Sequence, residues 1–368
     1  MDGDADGPGV VFGENGKVKW SGEFRGGGLC GKVRKFWREG GVKFEGVIVD
    51  GQRTGFGRVF YRDGLVEYSG GFEGGERSGR GKSFWRSGMV EYSGDWVGGV
   101  SDGQGRRYWD IKKSPLVELG DQEVPGKNKK KLSKGPLRYL GAFKGGVRHG
   151  KGTAFYKSGL VKYTGGWKDG VKHGTGNLYD CVPVAGPTRV GQDDALVYSG
   201  CFCEDKFHGQ GELYHANGRI MYLGIFLKGV YHGEGVIYHN SGFMMYEGGF
   251  INGILFFLIK KGQFHGKGKG YHPHSNIVQY SGDFKYGLFN GIGEVHALMP
   301  KKVGDKELRS GLYYKGGFVN NAKEGIGKIY YPSGKFFPIH IKKGTKSTLV
   351  SSKMTSGTVR GGPTGRTV

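Results

Sequence analysis

The chain has 368 residues, and 77 of them are glycine, about one in five against roughly 7% in an ordinary domain. Glycine lowers helix stability by roughly 1 kcal/mol per site relative to alanine, so a mostly helical fold is excluded. Only 11 prolines and no period of three exclude collagen, and 14% aromatic residues exclude a disordered chain. The net charge of +22, from 55 Lys and Arg against 33 Asp and Glu, favours anionic partners: nucleic acid, an acidic lipid surface or an acidic protein.

Residues 1–8 are acidic and glycine-rich and predict a flexible N-terminus. They lack the basic and apolar regions of a signal peptide. Four cysteines (Cys30, Cys181, Cys201 and Cys203) do not make a disulfide framework. The longest apolar run, residues 254–259, is too short for a bilayer span, which needs about 20 residues. The expectation is an intracellular, cytoplasmic protein with reduced thiols.

From residue 9 the chain repeats. An aromatic-x-Gly-x-aromatic motif recurs at Trp20, Tyr68-Gly70-Phe72, Tyr92-Gly94-Trp96, Tyr139-Gly141-Phe143 and Tyr163-Gly165-Trp167. It continues at Tyr198, Tyr222-Gly224-Phe226, Tyr246, Tyr280 and Tyr314, with a variant at Phe44. The steps 20→44→68→92, 139→163 and 198→222→246 are each 24 residues. A Gly-x-Gly begins 11 residues after the first aromatic, as at Gly55/Gly57 and Gly79/Gly81. Three residues beyond it stands another aromatic, such as Phe60, and the early repeats add a second, such as Trp37, Tyr61, Trp85, Trp109 and Tyr156.

Each unit predicts a β-hairpin. Residues 57–61 form one strand, Arg62-Asp63-Gly64 the turn and residues 65–72 the return, with Gly74-Gly75 leading to the next hairpin. Tyr68, Gly70 and Phe72 share a face, because side chains alternate along a strand. Glycine there leaves room for a neighbouring ring. Twelve such hairpins over residues 9–341 predict an elongated, all-β, single-sheet array of stacked hairpins with little or no helix. At about 4.8 Å per strand this is a twisted rod or trough on the order of 110 Å. Extra residues fall near 110–137, 180–196, 252–263 and 298–311 and predict inserted loops. Pro338 stands where the last motif would begin, which reads as a stop.

The composite from His149 to Trp167, His-Gly-Lys-Gly-Thr-x-x-x-Tyr-x-x-Gly-x-x-x-Tyr-x-Gly-x-Trp, resembles the MORN repeat (membrane occupation and recognition nexus). The resemblance covers nearly the whole chain. It implies stacked β-hairpins and a scaffolding or tethering role at membranes or cytoskeletal structures. Some members append a catalytic domain, but only about 27 residues follow the repeats here. Long arrays with nothing attached also occur in large DNA viruses, so a virion-associated structural protein is an alternative, as is a phospholipid-binding module.

The remaining motifs point away from catalysis. Gly81-Lys82-Ser83 resembles the end of a phosphate loop, but Glu76 stands where that motif needs glycine. His149, His173, His208, His232 and His265 precede Gly-x-Gly and suit turn packing. His215, His239 and His272 form a row at about 9–10 Å spacing, too far apart to share a metal, and read as exposed spectators or a pH-sensitive surface. Cys201 and Cys203 share a strand face without a second pair of ligands. The expectation is no enzyme, no cofactor and no metal.

Two basic segments stand outside the repeat. Lys127, Lys129, Lys130, Lys131, Lys134 and Arg138 lie in or beside the first long loop. Lys342, Lys343, Lys346, Lys353, Arg360 and Arg366 lie in a Ser-, Thr- and Gly-rich flexible tail, residues 342–368. Both are candidate sites for an anionic lipid, nucleic acid or protein partner. Protein partners are the main expectation, and a homodimer is a further one.

Overall fold

The computed structural model of the chain describes residues 5–111, 134–180, 195–251, 263–300 and 308–342. These residues contain no helix and form 24 strands, all antiparallel. They belong to two compact units, Met1–Lys206 and Phe207–Val368.

In the first unit β1 (Gly7–Phe12), β2 (Val18–Arg25), β3 (Gly28–Phe36), β4 (Val42–Val49), β5 (Gln52–Phe60), β6 (Val66–Glu73) and β7 (Glu76–Phe84) pair each with the next. The ladder continues through β8 (Val90–Val97), β9 (Val100–Tyr108), β10 (Leu137–Lys144), β11 (Val147–Phe155), β12 (Val161–Lys168), β13 (Val171–Asp180) and β14 (Ala195–Cys203). The second unit follows the same rule through β15 (Lys206–Tyr214), β16 (Ile220–Leu227), β17 (Val230–Tyr238), β18 (Met244–Phe250) and β19 (Phe264–Tyr271). It ends with β20 (Val278–Lys285), β21 (Leu288–Pro300), β22 (Leu308–Val319), β23 (Ala322–Tyr330) and β24 (Phe336–Ile341).

Two kinds of turn alternate. At the long turn Tyr61 leaves β5, its amide donating to the Leu65 carbonyl at 2.8 Å. The strand therefore ends at Phe60, one residue earlier than the sequence suggests, and it begins at Gln52 rather than at Gly57. The link between hairpins is itself a hairpin turn. Gly74 and Gly75 have φ of +55° and +84°, as the two central residues of a type I′ turn require. Each unit is thus a continuous meander with a long-turn edge and a short-turn edge.

The two glycines of Gly-x-Gly have different tasks. In the β6–β7 pairing Gly70 faces Gly81 and Phe72 faces Arg77, so two steps on β6 match four on β7. Gly79 sits in this bulge at φ +67°, a left-handed conformation that is costly for any residue with a Cβ. Gly81 instead lies under the ring of Tyr68, which a Cβ would strike.

That arrangement builds the core. Tyr68, Tyr92, Tyr139, Tyr163 and Tyr198 in the first unit, and Tyr222, Tyr246, Tyr280 and Tyr314 in the second, are fully buried. Their rings alternate edge-to-face with the aromatics of adjacent motifs. Tyr68 meets Phe72 at 5.2 Å and Trp96 at 5.0 Å between centroids, and Tyr246 meets Phe250 at 5.2 Å and Phe284 at 5.1 Å. Each such pair contributes about 0.5–1.5 kcal/mol beyond the area it buries. A second apolar cluster, beside the long turns of the first unit, joins Phe84, Val90 and Tyr108 with Val66 and Leu137.

The last hairpin departs from the expected register. Every other described long-turn hairpin has a bulge on the turn side of the motif aromatic, but β23 and β24 pair without one. Ile329 therefore faces Phe337, as Val59 faces Tyr68. Pro338 is shifted one residue on, opposite Lys328, and does not occupy the tyrosine place. Residues 298–300 and 308–311, assigned to a loop from the sequence, continue the β21–β22 ladder as far as Pro300 opposite Leu308.

Candidate interaction surfaces

The most regular surface feature lies two residues before the first glycine of each Gly-x-Gly. In the first unit this place holds Arg53, Arg77, Arg148 and Lys172. The Arg77 guanidinium sits 4.8 Å from the Tyr68 ring centroid, and that of Arg148 sits 3.9 Å from Trp167. In the second unit the same place holds Phe207, Tyr231, Phe264, Phe289 and Lys323; Tyr231, Phe264 and Phe289 stack on Tyr222, Tyr246 and Tyr280 at 3.9, 3.8 and 3.8 Å, and the Lys323 ammonium lies 4.8 Å from the Tyr314 ring. Ser101 is too short for the task, and Arg107 from β9 fills in, 5.1 Å from the Phe143 ring.

The four cations that hold this place in the first unit are satisfied. Arg53 and Arg148 donate to the Gly75 and Gly170 carbonyls at 2.6 and 2.7 Å, Lys172 pairs with Asp205 at 3.0 Å, and Arg77 pairs with Glu67. Burial holds the Arg53, Arg107 and Arg148 guanidinium groups below their ordinary range. Their role is to clamp neighbouring short turns while covering tyrosine faces. Sequence reading by motif missed this column. Aligning the residue two before each Gly-x-Gly would have exposed it.

The long-turn edge differs between the units. In the first, the cation that opens one turn lies over the aromatic of the turn before. Arg62 covers Trp37 at 5.3 Å, Arg86 covers Tyr61 at 5.2 Å and Lys157 covers Trp109 at 5.5 Å. Cations on the return strands cover two of the same rings, Lys43 on Trp37 at 4.4 Å and Arg138 on Trp109 at 4.6 Å, and Lys162 covers Tyr156 at 5.2 Å. Tyr61 and Tyr156 also reach across to the next hairpin, donating to the Phe84 and Tyr179 carbonyls at 2.7 and 2.9 Å.

In the second unit histidines take over that reach. Nε2 of His215 lies 3.0 Å from the Tyr238 carbonyl and Nε2 of His272 lies 3.2 Å from the His296 carbonyl. A carbonyl only accepts, so these nitrogens carry the proton. His215 and His272 are therefore half-buried staples and not the exposed spectators expected from the sequence. His239 is half-buried in the same row and packs near the His274 ring. The histidines before Gly-x-Gly sit at the short-turn edge, where Nδ1 of His149 lies 3.6 Å from Asp169 and the His265 ring packs on Tyr286 at 5.5 Å.

The face opposite the tyrosines is charged. Arg34, Arg58, Lys82 and Arg106 fall in one register line of the first unit with Ser21, Glu45, Ser69 and Ser93 between them. Glu45 pairs with both Arg34 and Arg58, at 3.7 and 3.3 Å. In the second unit charges are nearly matched, with Lys269–Glu247 at 3.6 Å and Lys315–Glu294 at 2.8 Å. The recesses on this face are shallow and lie over the glycine pairs, as between Lys267, Lys269 and Asp283.

Of the basic residues singled out in the sequence, three are described. Arg138 caps Trp109 on the long-turn edge. Lys134 is exposed there and bridges to Val90. Lys342 follows β24. Lys127, Lys129, Lys130, Lys131, Lys343, Lys346, Lys353, Arg360 and Arg366 lie outside the described residues, as does Cys181. Cys201 and Cys203 lie on β14. Among the described residues no three His, Cys, Asp or Glu side chains gather as metal ligands. No helix there is long and apolar enough to cross a membrane. What these surfaces offer chemically is charge pairing and ring contact.

A family model for the MORN repeat matches residues 44–66, 68–90, 92–111, 139–161, 163–180, 198–218, 222–243, 280–295 and 314–336, just over half of the chain. A search of curated proteins finds no match.

Proposed function

This chain belongs to the MORN-repeat family, and on that premise we propose that it is a non-catalytic scaffold holding protein partners along its repeats, at an anionic membrane surface or elsewhere in the cell. The family is in general a non-enzymatic repeat scaffold acting through protein or membrane contacts. One observation carries the reading here. From Tyr68 to Tyr314 tyrosine and glycine are constant at the places that build the sheet, while the outward places change from repeat to repeat: Arg77 becomes Tyr231, and Tyr61 becomes His215. A surface of that kind suits recognition spread over several hairpins.

The test is capture on the immobilised full chain, followed by cross-linking and mass spectrometry. Sedimentation with phosphatidylserine and with phosphatidylcholine vesicles and a duplex-DNA gel shift run in parallel. A saturable protein partner cross-linked to lysines of the repeats, such as Lys151 and Lys162, supports the scaffold. Binding only to phosphatidylserine vesicles, lost on deleting residues 343–368, replaces it with a peripheral lipid-binding module. Binding only to DNA replaces it with a nucleic-acid-associated structural protein.

A further inference from the structure

From the long-turn edge of the first unit we infer a docking site for an acidic polypeptide segment in extended conformation. The inference rests on the scaffold reading and names the partner's chemistry. The edge repeats a two-part element. An aromatic ring (Trp37, Tyr61 or Trp109) is covered by a cation from the following turn, and in two of the three by a return-strand cation as well. Arg62, Arg86, Arg138 and Lys157 are exposed, and of these only Arg62 has a carboxylate within ion-pair distance among the described residues, Glu39 at 3.5 Å. The rings hold the cations in place, so less side-chain freedom is lost when an anion arrives.

Three observations select the partner. First, the ring faces are already occupied, so stacking of nucleic-acid bases is blocked where single-strand binding would need it. Second, the turn tips Arg62-Asp63-Gly64, Arg86-Ser87-Gly88 and Lys157-Ser158-Gly159 offer no apolar side chain to insert into a bilayer. Third, the element follows the hairpin repeat of two strands, about 9.6 Å, which matches three residues of extended chain at about 3.3 Å each; it stands at Trp37 and Tyr61, is interrupted at Trp85, where Asp110 takes the cation's place, and resumes at Trp109. Trp, Tyr and Arg are also the residues that dominate protein–protein hot spots. The second unit has the same fold without this element: its turns read Ala216-Asn217-Gly218 and Asn240-Ser241-Gly242, and His215 supplies the reach to the next hairpin. The cation–aromatic pairs are therefore not a requirement of the hairpin.

The experiment uses the full chain and a fluorescein-labelled oligoglutamate of about 15 residues, long enough to cross about five hairpins. Fluorescence anisotropy at physiological salt compares the wild type, an edge variant (R62Q/R86Q/R138Q/K157Q) and a face variant of equal charge change (R34Q/R58Q/K82Q/R106Q). Thermal unfolding checks that each is folded. The expected result is an affinity loss of about tenfold or more in the edge variant and about twofold or less in the face variant. Lysine at Arg62, Arg86 and Arg138 should restore most of it, because the charge is kept. Equal losses in both variants, failure of the lysine variant to recover, or no binding would overturn the inference. So would duplex DNA or phosphatidylserine vesicles displacing oligoglutamate from this edge at lower concentration than oligoglutamate itself. If a cross-linked partner survives in the edge variant, the docking site falls while the scaffold reading stands.

Discussion

The hydroxyl of Tyr68 donates a 3.0 Å hydrogen bond to the carbonyl of Gly71, and to reach it the ring lies across the backbone of Gly70 and Gly81. The same bond recurs from Tyr92 to Asp95 at 2.9 Å, from Tyr163 to Gly166 at 2.9 Å and from Tyr246 to Gly249 at 3.0 Å. Ring, glycine pair and carbonyl form one unit repeated through the molecule.

Gly81→Ala is therefore expected to cost about 1–3 kcal/mol, because its Cβ would meet the Tyr68 ring and the backbone leaves little room to shift. Gly79 has open space but φ +67°, so Gly79→Ala costs about 1–2 kcal/mol through strain alone, and Gly79→Asn costs less. Urea unfolding of the three variants checks both the size and the order.

Alkaline pH should unfold the chain cooperatively. Burial pushes the phenols of Tyr68, Tyr92, Tyr139 and Tyr163 up to about 12 from an ordinary value of 10.0. Burial raises Tyr222, Tyr246 and Tyr280 in the same direction. A raised folded-state value means the stabilisation is complete below about pH 10 and is lost as the pH climbs towards 12. Tyrosinate absorbance and circular dichroism, followed together, should change in one step within that window. Separate steps would show that the rings ionise without unfolding.

Arg148→Phe should leave stability within about 1 kcal/mol of the wild type, since Phe264 and Phe289 fill the same place by stacking. The Gly170 amide still reaches the carbonyl of residue 148, at 2.9 Å. Arg148→Ala should lose about 2 kcal/mol, from the Trp167 contact and the Gly170 hydrogen bond. Thermal unfolding of the two variants separates ring cover from charge as the requirement.

His215→Tyr should be neutral and His215→Phe should cost about 1 kcal/mol, because tyrosine restores a donor to the Tyr238 carbonyl as Tyr61 supplies one to Phe84. Equal stability of the two variants, measured by chemical denaturation, would show that the staple bond contributes nothing.

The hairpin register was legible because glycine and tyrosine are irreplaceable where they stand: only a bare backbone passes under Tyr68, and only that ring reaches the Gly71 carbonyl. The column of Arg77, Arg148 and Lys172 was hidden because a guanidinium, an ammonium and a phenyl ring can all cover a tyrosine face, so unlike letters share one role. The last hairpin misled for a different reason. A bulge adds a residue without changing composition, so counting in steps of 24 could not reveal that β24 lacks one. The histidine row was visible as a row, but its bonds depend on carbonyls of the following hairpin, which spacing alone does not place.

That the repeats themselves are the binding surface is tested most directly by hydrogen–deuterium exchange of the full chain with and without saturating oligoglutamate. Protection should appear at the long turns of the first unit, around residues 37–43, 61–65, 85–89 and 156–162, and leave the corresponding turns of the second unit unchanged. Protection confined to residues 112–133 or 343–368 would contradict it and assign binding to the basic segments alone.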